Sequence, residues 1–331
     1  MANKITIIGG SGFVGTNLCK ILLKKEYDFE IFDLKTSSQF PEKCKIGDVR
    51  NLDSLRKHIT GNIVINLAAV HRDDVKDRAD YQKTNVDGAK NIVRVCTEKG
   101  INKIIFTSSV AVYGFAPPGT SEDGKINPFN EYGRTKFDAE KVFQAWYSED
   151  KSNRSLFIIR PTVIFGEGNR GNVYNLLKQV SSGRFIMIGN GENKKSMAYI
   201  ANVVAFLEAC IVSKQKFGLF NYVDTPDISV NELVILLREL LLAKKGVGIR
   251  LPIWFGLLTG YIFDVIAGIT RKRFPISSIR VRKFVSSSQF QSSKTRLQGF
   301  KAPFTLKEGI EKTLVSEFLD PDPSREIFYT E

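Results

Sequence analysis

Histidine is nearly absent. His58 and His71 are the only two in 331 residues, which argues against a histidine-based nucleophilic triad and against a zinc site. The four cysteines, Cys19, Cys44, Cys96 and Cys210, show neither a CxxC pair nor any metal-ligand spacing, so no metal is expected. They read as free thiols of a reduced, cytoplasmic protein rather than a disulfide framework. No secretory leader is expected, because the first apolar strand pattern begins almost at Met1. Internal repeats and low-complexity linkers are missing as well. What is present is ordinary for a globular protein: 43% apolar residues, in a chain long enough for one large core or two unequal ones.

Acidic residues are missing from one place in particular. Between Leu240 and Lys307 stand thirteen lysines and arginines and a single acid, Asp264, so this segment holds nearly all of the chain's net charge of +13. A basic surface concentrated in this way implies an anionic partner: phosphate-bearing substrates, anionic lipid or nucleic acid. No nucleic-acid-binding module accompanies it, so no nucleic-acid partner is expected. Inside the segment, residues 251–269 approach the ~20 apolar residues that span a bilayer. Asp264 and three glycines argue against a single span. Two readings stay open: a core helix, or an interfacial helix held on an anionic membrane by Arg271, Lys272 and Arg273.

The first half alternates short apolar runs with amphipathic helical patterns. Strands are expected at Lys4–Ile8, Phe29–Asp33, Ile63–Leu67, Lys103–Ser108 and Leu156–Arg160, and helices at Phe13–Lys25, Ala79–Lys99 and Tyr132–Tyr147. This alternation predicts right-handed βαβ units and an α/β fold: a Rossmann-type, doubly wound parallel sheet with a smaller C-terminal substrate lobe. Residues 1–165 form the expected dinucleotide-binding domain. Residues 166–331 form mainly the substrate lobe, with segments returning to the sheet and a basic, apolar, membrane-facing stretch around 240–307.

The first strand runs straight into Gly9-Gly-Ser11-Gly12-Phe13-Val14-Gly15. Gly9 permits a tight turn, Gly12 lets backbone approach a pyrophosphate, and Gly15 allows close helix packing. The helix N-terminus then offers free N–H groups to phosphate. Asp33, ending the second strand, suits the adenosine ribose hydroxyls and repels a 2′-phosphate, which favours NAD over NADP. Asp48 and Val49 follow a third strand; Asp48 either reaches the adenine or caps the next helix. Leu67, Ala68 and Ala69 end the fourth strand and are small enough to lie along a cofactor.

Tyr132 and Lys136 stand four apart in a helical pattern and share a face. A neighbouring ammonium and a cationic nicotinamide both lower a phenol's pKa, making Tyr132 a proton acceptor. Ser109, after the fifth strand, is placed to bridge Tyr132 and a substrate oxygen. Together they describe a redox site for an alcohol or a sugar.

These residues resemble the extended short-chain dehydrogenase/reductase family of sugar-nucleotide epimerases and dehydratases. The resemblance rests on the serine motif Ser108–Gly114, on Asn85-Val-Asp-Gly88 and on Arg160-Pro161, and it covers essentially the whole chain. It implies NAD as cofactor, with Asn85 and Pro161 among its contacts, and a homodimer through a four-helix contact. Two departures weaken the expectation of nucleotide recognition. Val163 stands where many members carry Asn, and Lys195–Asn202 replaces an arginine-led nucleotide grip. Ala69–Val75, Arg160–Gly166, Asn169–Lys178, Lys195–Tyr199 and Gly260–Asp264 are instead similar to bacterial 4-epimerases of undecaprenyl-diphosphate-linked N-acetylglucosamine. That similarity implies a lipid-diphosphate-linked sugar substrate for surface polysaccharide such as O-antigen. It also implies a cytoplasmic enzyme, peripheral at the inner face of the bacterial cell membrane. His71, Arg72 and Asp73 then line the sugar pocket or form a polar loop, and Asn172 and Lys195 are the candidates for diphosphate contacts. The competing readings are a soluble UDP-sugar 4-epimerase, a sugar or sterol-like dehydrogenase or reductase, and a non-catalytic dinucleotide-binding scaffold.

Overall fold

The computed structural model describes residues 4–72, 75, 77–270, 274, 277–292 and 297–330. Asp73, Arg271, Lys272, Arg273, Lys294 and Arg296 lie outside them. Strands β1 (Lys4–Ile8), β2 (Asp28–Asp33), β3 (Cys44–Ile46), β4 (Ile63–Asn66), β5 (Lys103–Thr107) and β6 (Ser155–Pro161) follow one another with helices between. The helices are α1 (Phe13–Lys24), α2 (Leu52–His58), α3 (Ala79–Tyr81), α4 (Gly88–Glu98) and α5 (Glu131–Glu149); a π-helical turn, Gln82–Asp87, joins α3 to α4. After β6 come β7 (Val163–Phe165), α6 (Asn172–Ser181), β8 (Met187–Ile188), β9 (Lys194–Lys195), β10 (Met197–Tyr199) and α7 (Ile200–Val212). The chain continues through β11 (Phe217–Tyr222), β12 (Ile228–Ser229), α8 (Val230–Leu242), β13 (Arg250–Leu251), α9 (Ile253–Thr270), α10 (Ser278–Val285) and α11 (Leu306–Leu314).

Seven strands form one parallel sheet in the order β11-β6-β5-β4-β1-β2-β3. Neighbouring residues on these strands point to opposite faces, and both faces are buried. Ile5, Ile7, Ile31, Ile65, Ile105 and Phe157 meet Leu18 and Leu22 of α1 and Val203 and Leu207 of α7. Ile8, Phe32, Val64, Ile104, Phe106 and Ile158 meet Leu55 of α2, Ile92 and Val95 of α4, and Phe143 and Trp146 of α5. The order reverses between β1 and β4, so their C-terminal ends open a crevice where such sheets bind ligands. The smaller pairings β7–β10, β8–β13 and β9–β12 build the region beyond it.

Helix α9 overturns the core-helix reading of residues 251–269. Only Gly256 and Gly260 are buried in it, while Trp254, Leu258, Val265 and Ile269 are 65%, 51%, 63% and 78% exposed. The two glycines mark where neighbours press. A Cβ on Gly256 would stand 2.7 Å from Ile188, and one on Gly260 2.7 Å from the Ser278 backbone N. Asp264, the lone acid, accepts from Ser278 N at 3.1 Å and so joins α9 to the first turn of α10. By length and composition α9 is long and apolar enough to cross a membrane.

Candidate active site

The loop from β1 to α1 is built for close backbone contact. Gly9 has φ +80° and its N–H donates to Phe32 O; a Cβ there would lie 2.6 Å from Ala68 N. A Cβ on Gly15 would meet Gly10 Cα at 2.5 Å and Gly9 O at 2.6 Å, so Gly15 packs α1 onto the loop itself. Gly12 is the N-cap of α1, and no side chain caps the first turn. Those N–H groups and the positive end of the helix dipole suit a pyrophosphate. Ser11 N donates to Asp33 Oδ2 at 2.9 Å and Ser11 Oγ to Lys35 O at 2.9 Å, which ties the loop to the end of β2. Phe13 is buried under Phe328, ring centroids 5.7 Å apart, so the C-terminal stretch reaches this end of the crevice. The glycines, the uncapped helix and the carboxylate together fit an NAD dinucleotide. Leu67 N donates to Ile8 O, and Ala68 N to Asn66 Oδ1, which lays the Leu67–Ala69 backbone beside Gly9.

Three of the expected residues are held by protein partners. Asp48 does not cap α2: Asn51 does, accepting from Ser54 N at 2.9 Å. The Asp48 carboxylate accepts instead from the Arg50 backbone and guanidinium, which hold it below its usual range against the opposing effect of burial, and Val49 packs in the core beside it. Asn85 pins the loop after β4. Its Oδ1 accepts from Val70 N, and its amide donates to Val70 O and Thr135 Oγ1. Lys195, expected at a diphosphate, donates to Lys283 O at 2.8 Å and Ser286 O at 2.5 Å, so it fastens the end of α10. Burial pushes its ammonium down to about 8. Pro161 ends β6, buried, in register with Tyr222.

Tyr132 and Lys136 occupy the first turns of α5, whose start is fixed by Asn130 accepting from Gly133 N at 2.9 Å. Ser109 opens a short 3₁₀ turn, Val110–Tyr113, and its Oγ accepts from Ala111 N at 3.1 Å. The Ser109 hydroxyl lies near the Tyr132 phenol and acts to lower its pKa. Ser108 points elsewhere, donating to buried Glu140 at 2.5 Å. Lys136 is 2% exposed; its Nζ donates to Thr107 O at 2.6 Å and lies 4.7 Å over the Phe106 ring. Burial pushes Lys136 down to about 7, against the Glu140 carboxylate, which favours the ammonium. In the protein alone, burial pushes the Tyr132 phenol up to about 12, outweighing the nearby Ser109 hydroxyl, and the Lys136 ammonium is turned to Thr107; the expected lowering draws on a cationic nicotinamide as well.

Beneath this pair lies a buried network that spacing did not reveal. Arg160 grips Glu140 with Nε–Oε1 at 2.8 Å and Nη2–Oε2 at 2.5 Å, and donates to Tyr113 Oη at 2.6 Å. Tyr113 donates to Asn221 Oδ1 at 2.8 Å. Glu140 stands one helical turn past Lys136, a signal available in the Tyr132-Lys136-Glu140 spacing. Of the expected pocket residues, His71 is brought toward this centre. His71 is exposed, with its Nδ1 3.5 Å from Ala69 O. Arg72 is exposed, its carbonyl accepting from Tyr81 Oη at 2.5 Å. Asn172 stands exposed at the first turn of α6.

Fold and site define a Rossmann dinucleotide-binding protein with a serine–tyrosine–lysine cluster at the mouth of its crevice. Comparison carries this further. Residues 5–221 match the model of the NAD dependent epimerase/dehydratase family, and the chain belongs to that family. It is 44% identical over 321 residues, 96% of both chains, to the N-acetyl-alpha-D-glucosaminyl-diphospho-ditrans,octacis-undecaprenol 4-epimerase of Escherichia coli O157:H7. It is 30% identical to the UDP-glucose 4-epimerase of Vibrio cholerae, covering 95% of both. Among solved structures, the Bordetella bronchiseptica enzyme WbmG in complex with NAD shares the fold, with a TM-score of 0.75, 18% identity, and 100% of this chain and 98% of that one covered.

Proposed function

We propose that this protein is an NAD-dependent 4-epimerase that interconverts N-acetylglucosamine and N-acetylgalactosamine carried on undecaprenyl diphosphate, working at the cytoplasmic face of the membrane. One observation carries the choice of a lipid-linked substrate. An 18-residue apolar helix, α9, stands almost wholly exposed in the segment that holds nearly all the net positive charge. Apolar faces of that size mark an interaction surface, and basic neighbours suit anionic headgroups and diphosphate. The 44% identity to an enzyme named for that substrate supports the same reading.

NAD, when bound, supplies a nicotinamide ring that takes and returns hydride and whose positive charge favours the phenolate. Tyr132 accepts the proton of the sugar 4-hydroxyl and later gives it back. Ser109 steadies that exchange: its oxygen is fixed by Ala111 N, which leaves its hydrogen for the phenol or the substrate oxygen. Lys136, anchored on Thr107, keeps a cationic group in the buried wall of the site. Inversion at C4 requires the ketone to turn over between the two transfers. The firm anchor must therefore be the diphosphate and lipid, with the sugar ring held loosely. A homodimer through α4 and α5 belongs to the same reading; Val93, Val142 and Ala145 line a shared groove on that face.

The test is incubation of purified protein with undecaprenyl-diphosphate-linked N-acetylglucosamine, without added cofactor, followed by identification of the released sugar. N-acetylgalactosamine is expected. Turnover of UDP-N-acetylglucosamine alone would replace this reading with the soluble nucleotide-sugar enzyme.

A further inference from the structure

We propose that Phe115, Phe129 and Lys283 form the subsite for the diphosphate and the first isoprene units of the lipid-linked substrate. The proposal rests on the lipid-linked reading above and names where the lipid leaves the catalytic centre.

Phe115 and Phe129 are 61% and 48% exposed, yet their rings lie 4.9 Å apart. Each is tied to the reacting groups through the chain. Phe115 follows Gly114, which closes the 3₁₀ turn begun by Ser109. Phe129 precedes the Asn130 cap of α5 and stands three residues before Tyr132. The two loops are held together, with Asn127 N donating to Val112 O and Phe129 N close against Gly114. Two exposed phenyl rings thus stand where the serine and tyrosine elements meet.

The third member comes from the apolar hairpin. Lys283 of α10 places its Nζ 5.2 Å over the Phe129 ring. Its own backbone is fixed by Lys195. One helical turn earlier on the same face stands Ile279, 48% exposed, and α10 packs along α9 through Asp264 and Gly260. The root of the hairpin sits on the body, where Ile253 and Val285 both close on Gly189. An apolar path therefore runs from the Phe pair, past one ammonium, along Ile279 to the exposed face of α9. A diphosphate bearing an isoprenoid matches that sequence of chemistries: sugar at Tyr132, phosphate charge at Lys283, hydrocarbon on the rings and the hairpin.

The test uses N-acetylglucosaminyl diphosphates whose second ester is methyl, geranyl or farnesyl, with UDP-N-acetylglucosamine in parallel. In the natural chain kcat/KM is expected to rise by about tenfold or more from methyl to farnesyl, since the longer chains bury more hydrocarbon on the rings and the hairpin. The double variant F115S/F129S should lose most of that rise while remaining folded by thermal unfolding. Because the readout is a ratio within each protein, general damage cancels. K283A should raise KM for the geranyl and farnesyl diphosphates with little change in kcat. A double variant that keeps the natural chain-length dependence overturns the subsite. So does an equal loss on UDP-N-acetylglucosamine, which would make the rings a base platform. If the natural chain turns over UDP-N-acetylglucosamine and none of the three isoprenoid or methyl diphosphates, the lipid-linked reading itself fails, and the subsite with it.

Discussion

Replacing Arg160 by Met should destabilise the protein severely, and the structure says why. Arg160 is 3% exposed and Glu140 fully buried, and two short hydrogen bonds join them. Removing the guanidinium leaves the carboxylate with only the Ser108 hydroxyl at 2.5 Å, and leaves Tyr113 without its cation. Breaking one side of a buried pair typically costs about 3–5 kcal/mol, because the remaining charge has neither water nor partner. For a chain of this size that is a fall in Tm on the order of 10 °C. The assay is urea unfolding of R160M, of E140L and of the double variant. Replacing both partners with apolar groups should recover at least half of the single-variant loss. A cost under ~1 kcal/mol for R160M, or a double variant no better than the sum of the two singles, would refute the reasoning.

Four further outcomes follow from the same geometry. Tyr132→Phe should cut turnover by about 10²–10⁴ while leaving bound NAD unchanged by absorbance and mass; unchanged turnover would remove the phenol from the reaction. Lys136 carries a folded pKa near 7 against an ordinary 10.5, so the unfolded chain binds more protons between those values and stability rises with pH across that window. Lys136→Met should therefore look relatively more stable at pH 6 than at pH 9.5 in urea unfolding, and be inactive at both; a pH-independent difference would contradict the burial argument. Gly15→Ala forces a methyl against Gly10 and Gly9 backbone and should cost about 1–3 kcal/mol and most of the NAD content; full NAD occupancy would contradict the close packing. The triple variant W254S/L258S/V265S should lose binding to phosphatidylglycerol vesicles in a flotation assay and keep its folding stability, since those side chains touch water rather than core; undiminished flotation would take α9 out of membrane contact.

The sheet was legible because each strand is an apolar run closed by a turn residue, and the glycine loop because its spacing sits between a strand and a helix. The two-residue pairings β8–β13 and β9–β12 were not, since each joins segments tens of residues apart with no local pattern. The same distance hid the Arg160–Tyr113–Asn221 links. Spacing placed Tyr132, Lys136 and Ser109 on helix and turn as expected but did not show the burial that raises the Tyr132 phenol. Burial is a property of everything packed around it, and a four-residue interval says nothing of where an ammonium points. Lys195 and Asn85 show the same limit: nothing in the local sequence announced the backbone carbonyls of other loops to which both donate. Residues 251–269 had one composition and two outcomes; only the positions of Gly256 and Gly260, the small faces that touch the body, distinguish an exposed helix from a core one.

The account's central claim is that an alcohol carbon beside Tyr132 loses and regains its own hydrogen. The most direct measurement supplies undecaprenyl-diphosphate-linked N-acetylglucosamine carrying deuterium at C4 and reads the N-acetylgalactosamine formed by mass spectrometry. Retention of the label at C4 in unlabelled water, with no added NAD, is the expected result. Loss of the label to solvent, or release of a free ketone with net reduction of cofactor, would contradict it.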